Sequence, residues 1–314
     1  MKIGIVGVGQ VGATAAYAMM MRGVGSEIVL VDRNADLAVA QARDILDAAA
    51  LADPLRVRAG ELASLEGARL VVLAAGASQR PGESRLDLLS RNAEIFAEIV
   101  PAVLTAVADP IFLVATNPLD VMTQIVTALA GRHGIAPQQV IGSGTILDSA
   151  RFRTLLAAHL GINPAYIDAR VLGEHGDSQV LHWSGAAVAG NLSVAEAARE
   201  MGRELTDADR SRIDTAVRRA AYAIIQGKGA TWFGVGAGLA QMAQAIEGDE
   251  RALITCSMLT PECQGVRDVA LSLPRVLGAG GVVKTFTPKL DAGESDALKR
   301  SAEILKEAAE GVRF

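Results

Sequence analysis

The sequence is short of aromatic rings, cysteine and long apolar runs, and each shortage removes a class of function. Aromatic residues make up only 4% of the 314 residues, too few for the stacking platforms that bind single-stranded nucleic acid. The two cysteines, Cys256 and Cys263, form no Cys-x-x-Cys pair, so neither a disulfide framework nor a cysteine zinc site is indicated, and we expect reduced thiols in the core. No stretch offers the ~18 uninterrupted apolar residues of a transmembrane helix.

An excess of positive charge is also missing. Thirty Lys and Arg residues against 35 Asp and Glu residues give a net charge of -5, and no basic run stands out, which disfavours a nucleic-acid partner. Glycines interrupt the N-terminal sequence MKIGIVGVGQVG, so it lacks the apolar core of a signal peptide. No histidine pair has the helical spacing of metal ligands. We therefore expect a cytoplasmic protein that acts on a small molecule, without membrane, nucleic-acid or metal partners.

Glycine, by contrast, is abundant. The chain has 32 glycines in 314 residues, which is ~10% against a typical value of about 7%, and they are not periodic. Hydrophobic residues at 50% and charged residues at 21% are ordinary for a globular protein, and at roughly 150 residues per domain the length predicts about two domains. The glycine excess indicates positions where the backbone must turn sharply or approach another group closely.

Short β-branched apolar runs alternate with longer helical stretches in the first half of the chain. The runs are nearly continuous in apolar character, as expected for parallel strands that helices cover on both faces. The pattern predicts an α/β fold with a Rossmann-type doubly wound parallel sheet. The predicted strands are Lys2 to Val6, Glu27 to Asp32, Leu55 to Arg58, Arg69 to Ala74 and Ile111 to Thr116, and crossover helices are predicted over Val11 to Arg22 and Ser84 to Val107.

The alternation stops near residue 142. We therefore predict a dinucleotide-binding domain over residues 1–142 and a mixed α+β substrate domain over residues 143–314, with the site in the cleft between them. In the second half, Thr206 and Asp209 resemble a helix start. Apolar residues at helical spacing continue to Gln226, and Gly227 is predicted to end that helix.

The first predicted strand leads into a GxGxxG pattern. Gly7 permits a tight turn, Gly9 lets the backbone approach a pyrophosphate, and Gly12 allows the following helix to pack closely on the strand. The helix N-terminus supplies free N–H donors for the pyrophosphate. Since strand, glycines and helix occur in the order that a dinucleotide requires, we predict that Gly7, Gly9, Val11 and Gly12 bind the cofactor.

An acidic residue ends the second predicted strand at the position expected for ribose recognition. The carboxylate of Asp32 would accept hydrogen bonds from the adenosine ribose and repel a 2′-phosphate, which favours NAD over NADP. The neighbouring Arg33 could pair with a 2′-phosphate, so NADP remains an alternative.

His175 is the one histidine of four that lies in a glycine-rich, acid-rich string, GEHGDS at 173–178. That string resembles the signature of the L-lactate and malate dehydrogenase superfamily, and the resemblance extends over essentially the whole chain. The other strings that carry it are QRPGESRLDLLSRN at 79–92, ATNPLDV at 115–121 and GTILDSARFR at 144–153.

The resemblance implies a catalytic set for reducing a 2-keto acid with NADH. His175 would donate a proton to the ketone oxygen and recover it in the oxidative direction. Asp148 would orient the ring and stabilise its protonated form. Arg151 would bind the substrate carboxylate, and since it follows Asp148 by three residues, both side chains could face one side of a helix.

Further family positions lie before and after this set. The stretch from Gly76 to Ser84 resembles the mobile lid of the family, and Arg85 would bring positive charge to the polarised carbonyl when the lid closes. Asn117 resembles the residue that bridges cofactor and substrate, although Asn-Pro alone is typical of a turn. Thr231 matches a position that lines the substrate pocket, with a helix cap as its structural alternative.

The choice between pyruvate and oxaloacetate depends on the charge that faces the variable group of the substrate. An arginine two residues before the lid Pro-Gly is typical of malate enzymes, whereas lactate enzymes usually have glutamine there, and this chain has Gln79. We therefore predict L-lactate dehydrogenase activity. Because a one-residue shift could present Arg80 instead, malate dehydrogenase activity remains the alternative, and a non-catalytic NAD-binding protein is a second one.

The resemblance also concerns regulation and assembly. Many bacterial lactate dehydrogenases respond to fructose 1,6-bisphosphate through an arginine and a histidine at a subunit interface. Arg153 matches that arginine, but Asp168 stands at the histidine position, and its carboxylate would repel a phosphate. We therefore predict weak or absent activation by this sugar, and the resemblance implies a homotetramer.

Overall fold

A computed structural model of the chain describes residues 1–52, 55–77 and 85–312, and for Arg85 and Leu86 it describes the backbone only. Strands and helices alternate over the first half, as the apolar pattern predicts. The strands are β1 (Lys2–Val6), β2 (Glu27–Val31), β3 (Arg56–Ala59), β4 (Leu70–Leu73), β5 (Ile111–Val114) and β6 (Val140–Gly142). The helices are α1 (Gln10–Met21), α2 (Ala35–Ala49), α3 (Arg85–Ala106) and α4 (Leu119–Gly131).

The second half is less regular and has longer antiparallel strands. Its helices are α5 (Ile146–Leu160), α6 (Val194–Glu200), α7 (Asp207–Lys228), α8 (Phe233–Glu247) and α9 (Ala292–Glu310). Two-residue strands follow α5, namely β7 (Ile167–Asp168), β8 (Val171–Leu172), β9 (Val180–Leu181), β10 (Ala187–Val188) and β11 (Leu192–Ser193). The long strands are β12 (Ala252–Cys263), β13 (Val266–Gly278) and β14 (Gly281–Thr285).

One large sheet connects the two halves, in the order β14-β13-β12-β6-β5-β4-β1-β2-β3. The six strands of the first half are parallel, and their order reverses direction beside β1, so the predicted doubly wound α/β class is confirmed. The β12–β13 hairpin extends this sheet in antiparallel fashion through a pairing of Ser257 with Gly142. Apolar side chains of the parallel strands are buried because helices cover both faces, except that Ala59 of the edge strand β3 is partly exposed.

Helix α7 corrects one expectation. Thr206 caps its first turn and exchanges hydrogen bonds with Asp209, as predicted, but the helix continues through Gly227 and ends at Lys228. Gly229 provides the end instead, because its φ of +88° is a conformation that residues with a side chain rarely adopt.

The remaining expectations about the core concern α7 and the thiols. Only the first half of α7 packs inward, through Ile213 and Val217, whereas Ile224 is exposed.

Both cysteines are buried and unpaired, as predicted. Burial raises the pKa of each thiol to about 11, so neither is a reactive thiolate near neutral pH.

Candidate active site

The turn between β1 and α1 has the shape that a pyrophosphate requires. Gly7 has a φ of +91°, and its N–H donates to the carbonyl of Val31 at 2.8 Å. A side chain at Gly12 would overlap the carbonyl oxygen of Gly7, so the helix can pack this closely only with glycine there. A Cβ at Gly9 would meet no protein atom within 4 Å, which leaves open space in front of the first turn of α1.

Asp32 lies just beyond the end of β2 and beside this turn. Its Oδ2 accepts the N–H of Val8 at 2.8 Å, and its Oδ1 accepts the N–H of Asn34 at 2.9 Å. These bonds fix the carboxylate, and each oxygen keeps acceptor capacity for a hydroxyl group. The open space at Gly9 and the oriented acid together fit the pyrophosphate and ribose of a dinucleotide.

The structure brings His175 and Asp148 together, although they are 27 residues apart in the chain. Helix α5 carries Asp148 on its first turn, buried to 3% exposure, and the Oδ2 of this acid lies 2.6 Å from Nδ1 of His175. One helical turn later, Arg151 donates from Nη1 to Oδ1 of the same acid at 3.1 Å. The three side chains thus form one connected set with Asp148 at its centre.

The electrostatics of this set favour a protonated imidazole. Burial opposes a charge on His175, but the charge of Asp148 and its hydrogen bond outweigh burial and raise the pKa of the imidazole above its usual value. Burial also opposes the charge of Asp148, but the charges and hydrogen bonds of His175 and Arg151 together outweigh burial and lower the pKa of the acid. Since Nδ1–H donates to Asp148, the proton on Nε2 is the one that can be given to a substrate oxygen.

Two residues that the sequence analysis did not single out hold the loop that carries His175. The backbone N–H of His175 donates to Oδ2 of Asp120, on α4, at 2.7 Å. The N–H of Glu174 donates to Oγ of Ser301, on α9, at 2.9 Å. Burial raises the pKa of Asp120 to about 6. Asp120 lies in the family string at 115–121, which was a signal for it, whereas no motif includes Ser301.

Asn117 lies in the turn between β5 and α4. Its side chain is exposed, and its backbone carbonyl accepts from Nδ2 of Asn92 at 2.9 Å. The Oδ1 of Asn92 accepts from the N–H of Ala77 at 2.8 Å. Asn92, which is 1% exposed, therefore joins α3 to the segment before residue 78 and to the turn at Asn117. Asn92 is the last residue of the family string at 79–92, which was the signal for it in the sequence.

A cavity of about 360 Å³ lies next to the histidine. Asp120, Glu174, His175 and Glu307 supply its polar lining, and apolar side chains from α3, α4 and α9 complete the wall. This volume suits a small organic molecule rather than a polymer.

Several predicted site residues are not tied to this set by the contacts described. Thr231 lies partly exposed between α7 and α8. Gln79 and the rest of the stretch from residue 78 to 84 lie outside the described residues, as does the side chain of Arg85. At the position predicted for regulation, Asp168 forms an ion pair with Arg170 at 2.8 Å. Burial and the neighbouring Arg170 lower the pKa of Arg153.

Neither a metal-binding cluster nor a membrane-spanning helix occurs among the described residues. Within the ranges given above, no group of three or more His, Cys, Asp or Glu side chains is placed to hold a metal ion. No helix in the described part of the chain is long and apolar enough to cross a membrane.

Comparison with known proteins agrees with the geometry. Residues 1–142 match the family model for the lactate/malate dehydrogenase NAD binding domain, and residues 145–313 match that for the lactate/malate dehydrogenase alpha/beta C-terminal domain. The chain belongs to the lactate/malate dehydrogenase family. The resemblance inferred from the motifs is thereby confirmed, and the first match identifies the cofactor-binding half as an NAD binding domain.

Full-length relatives of this chain include proteins named L-lactate dehydrogenase. The L-lactate dehydrogenase of Thermus aquaticus is 55% identical over 100% of both chains. The L-lactate dehydrogenase of Deinococcus radiodurans is 48% identical over 98% of this chain and 97% of its own. Among solved structures, the minor L-lactate dehydrogenase of Enterococcus mundtii in its ligands-bound form superposes with a TM-score of 0.94 at 35% identity, covering 100% of this chain and 98% of that one.

Proposed function

We propose that the chain is an NAD-dependent L-lactate dehydrogenase that interconverts pyruvate and L-lactate. The observation that carries this proposal is the 2.6 Å contact between Nδ1 of His175 and Oδ2 of Asp148, with Arg151 on the same acid. A protonated histidine next to a carboxylate-binding arginine suits a 2-keto acid, which presents a ketone beside a carboxylate. The full-length relatives named L-lactate dehydrogenase support the same reaction.

Each half of the chain has its own task in this proposal. Residues 1–142 hold NAD through Gly7, Gly9, Val11, Gly12 and Asp32, and residues 143–314 supply the groups that act on the keto acid. The bound nicotinamide supplies the hydride for reduction. His175 gives its Nε2 proton to the ketone oxygen, and Asp148 holds the ring in place and stabilises its charged form.

Other residues orient the substrate and lower the barrier. The planar guanidinium of Arg151 binds both carboxylate oxygens, which fixes the ketone relative to His175. Asn117 contacts cofactor and substrate, Thr231 limits the size of the pocket, and Arg85 stabilises the negative charge that develops on the oxygen. In the oxidative direction, neutral His175 takes the hydroxyl proton of lactate.

Selection of pyruvate rests on Gln79. A second carboxylate buried beside this neutral side chain would go unpaired, at a cost of several kcal/mol, roughly a hundredfold discrimination or more. Malate dehydrogenase activity is the second candidate because Arg80 adjoins Gln79 in the chain and would supply the missing cation. The connected set of His175, Asp148 and Arg151 argues against a protein that binds NAD without catalysis.

Initial rates decide substrate and cofactor together. Pyruvate, oxaloacetate and a longer 2-keto acid would each be assayed with NADH and with NADPH. We expect the highest kcat/KM with pyruvate and NADH, because Asp32 repels a 2′-phosphate. Equal or better turnover of oxaloacetate would refute the lactate assignment, and equal use of NADPH would show that Arg33 outweighs Asp32.

We further propose a cytoplasmic homotetramer. Large apolar side chains are exposed on α1 and α2, two helices that contact each other, and exposed apolar surface is typical of an interaction site, which supports self-association. Light scattering across a range of concentrations would test the tetramer, and fractionation of the source cells would test the compartment. The exposed apolar side chains are Tyr17 and Met21 on α1, and Val39 and Leu46 on α2.

A further inference from the structure

An arginine of α7 binds the loop that carries His175 at two carbonyl groups. Nη1 of Arg218 donates to the carbonyl of Asp177 at 2.6 Å and to the carbonyl of Gln179 at 2.7 Å. Gln179 is 4% exposed, so its carbonyl depends on such a partner. Arg218 therefore ties down the part of the loop that follows His175.

The guanidinium is itself fixed from the other side. Nε and Nη2 of Arg218 donate to the two carboxylate oxygens of Asp214 at 3.0 and 3.1 Å, a bidentate pair within one turn of α7. Tyr222, one turn further on, donates from its hydroxyl to the carboxylate of Asp177. The planar guanidinium of Arg218 has several donors, so it can bind Asp214 and both loop carbonyls at once, whereas a lysine ammonium could not.

Helix α7 belongs to the same packed unit as Asp148. Ile213 and Val217, on the inner face of α7, share one apolar cluster with Phe152 and Leu156 of α5, the helix that carries Asp148. A bond from the loop to α7 is therefore a bond to the framework that holds Asp148. It fixes the distance between the imidazole and the acid that orients it.

We propose that Arg218 is a positioning residue for proton transfer by His175. Asp120 and Ser301 hold the residues up to and including His175, and Arg218 holds the residues after it. With both ends fixed, the imidazole keeps its place against Asp148. This inference rests on the proposed function, because proton transfer is the step that it serves.

Loss of Arg218 has a consequence for the titration of His175. The charged groups around this ring are Asp148 and Arg151 from α5, Asp120 from α4, Glu174 from its own loop and Glu307 of α9, which lines the same cavity. Among them, Asp148 contributes most to holding the pKa of His175 up against burial. A looser loop weakens that contact, so the pKa of His175 should fall.

The test compares Arg218→Met and Arg218→Lys with Arg212→Met as the matched control. Arg212 lies on the same helix and its side chain is 59% exposed. It pairs with Asp209 of α7 at 3.1 Å and not with the loop that carries His175. Three quantities are measured: kcat for pyruvate reduction, Kd for NADH, and the titration of the His175 imidazole by NMR. The chain has only four histidines, and a His175→Asn sample assigns the signal.

We expect Arg218→Met to lower kcat about tenfold or more, because small misplacements of a catalytic group are costly. The Kd for NADH should stay within about twofold of the wild-type value, and the His175 titration should move to lower pH. Arg218→Lys should recover part of kcat, and Arg212→Met should match the wild type. If Arg218→Met does not fold, Arg218→Lys and Asp214→Asn provide the same comparison with smaller effects.

Two results would overturn the proposal. One is an unchanged kcat in folded Arg218→Met, and the other is a lower kcat with an unshifted His175 titration. A wild-type protein that fails to reduce pyruvate would instead refute the proposed function. The titration would still test the positioning role in that case, because it needs no substrate.

Discussion

Two carboxylates hold His175 at different atoms, since Asp148 contacts its ring and Asp120 accepts its backbone N–H at 2.7 Å. The two acids differ in environment. Asp148 gains a partner charge from His175 and Arg151, whereas the largest effect on Asp120 is burial, which hydrogen bonds from Ser257 and from the N–H of His175 offset only in part. Asp148 is therefore stabilised as a carboxylate, whereas the charged form of Asp120 carries a free-energy cost of burial.

That cost predicts how stability depends on pH at Asp120. Burial raises the pKa of Asp120 from 3.8 to about 6, so the folded state binds a proton that the unfolded state has lost between these values. The contribution of Asp120 to stability is present below about pH 4 and is lost as the pH rises through 6. Asp120→Asn keeps an acceptor for the N–H of His175 but does not titrate.

We expect the free energy of unfolding of Asp120→Asn to rise relative to that of the wild type between pH 4.5 and 7.5, by about 2 kcal/mol. Urea unfolding at several pH values measures this difference. A gap that stays constant with pH would show that Asp120 does not titrate in this range.

Removing the charge of Asp148 should act on catalysis. In Asp148→Asn the largest support for the protonated imidazole is lost while burial remains, so the pKa of His175 should fall below its wild-type value. Pyruvate reduction needs the protonated ring, and its kcat should drop by about 10² to 10⁴. The decline in rate on the alkaline side should begin at lower pH. NADH affinity serves as the control and should not change, and a wild-type pH profile in the variant would contradict this role for Asp148.

Local patterns were enough to predict the cofactor half of the fold. A strand, a glycine turn, a helix and an acid follow one another within 32 residues, so short-range geometry fixes them. Glycines of α8 have a packing role that local pattern does not reveal. A Cβ at Gly236 would lie 2.7 Å from Cγ2 of Thr14, so α8 packs against α1 only because that side chain is missing.

The support of His175 could not be predicted in the same way. Asp120 lies 55 residues from His175, and Ser301 lies 127 residues from Glu174. These contacts depend on how α4 and α9 pack around the loop, and no sequence period encodes such packing. The pairing of His175 with Asp148 came from the family resemblance, because the spacing between them implies no contact by itself.

Substrate preference should follow the charge at position 79. An arginine introduced by Gln79→Arg would pair with the second carboxylate of oxaloacetate, so the ratio of kcat/KM for oxaloacetate to that for pyruvate should rise about a hundredfold. Steady-state kinetics with both keto acids measure this ratio. Gln79→Met, which adds no charge, is the control, and an unchanged ratio in Gln79→Arg would contradict the charge argument.

Regulation by fructose 1,6-bisphosphate should be weak or absent. At the position that the family resemblance assigns to the sugar phosphate, Asp168 would place a carboxylate against it, and this carboxylate already pairs with Arg170. We expect the apparent KM for pyruvate, measured at subsaturating concentrations, to be the same with and without the sugar. A clear fall in KM on adding it would refute the prediction.

Substitutions at two glycines of the nucleotide turn should have different effects, one on NADH affinity and the other on stability. In Gly9→Ala the new Cβ enters open space beside the first turn of α1, where the pyrophosphate is proposed to bind, so NADH affinity should fall at least tenfold with little change in Tm. In Gly12→Ala the new Cβ overlaps the carbonyl of Gly7, so the free energy of unfolding should fall by about 1–3 kcal/mol. Fluorescence titration with NADH and thermal melts distinguish the two. If Gly9→Ala binds NADH as the wild type does, the pyrophosphate does not lie against this turn.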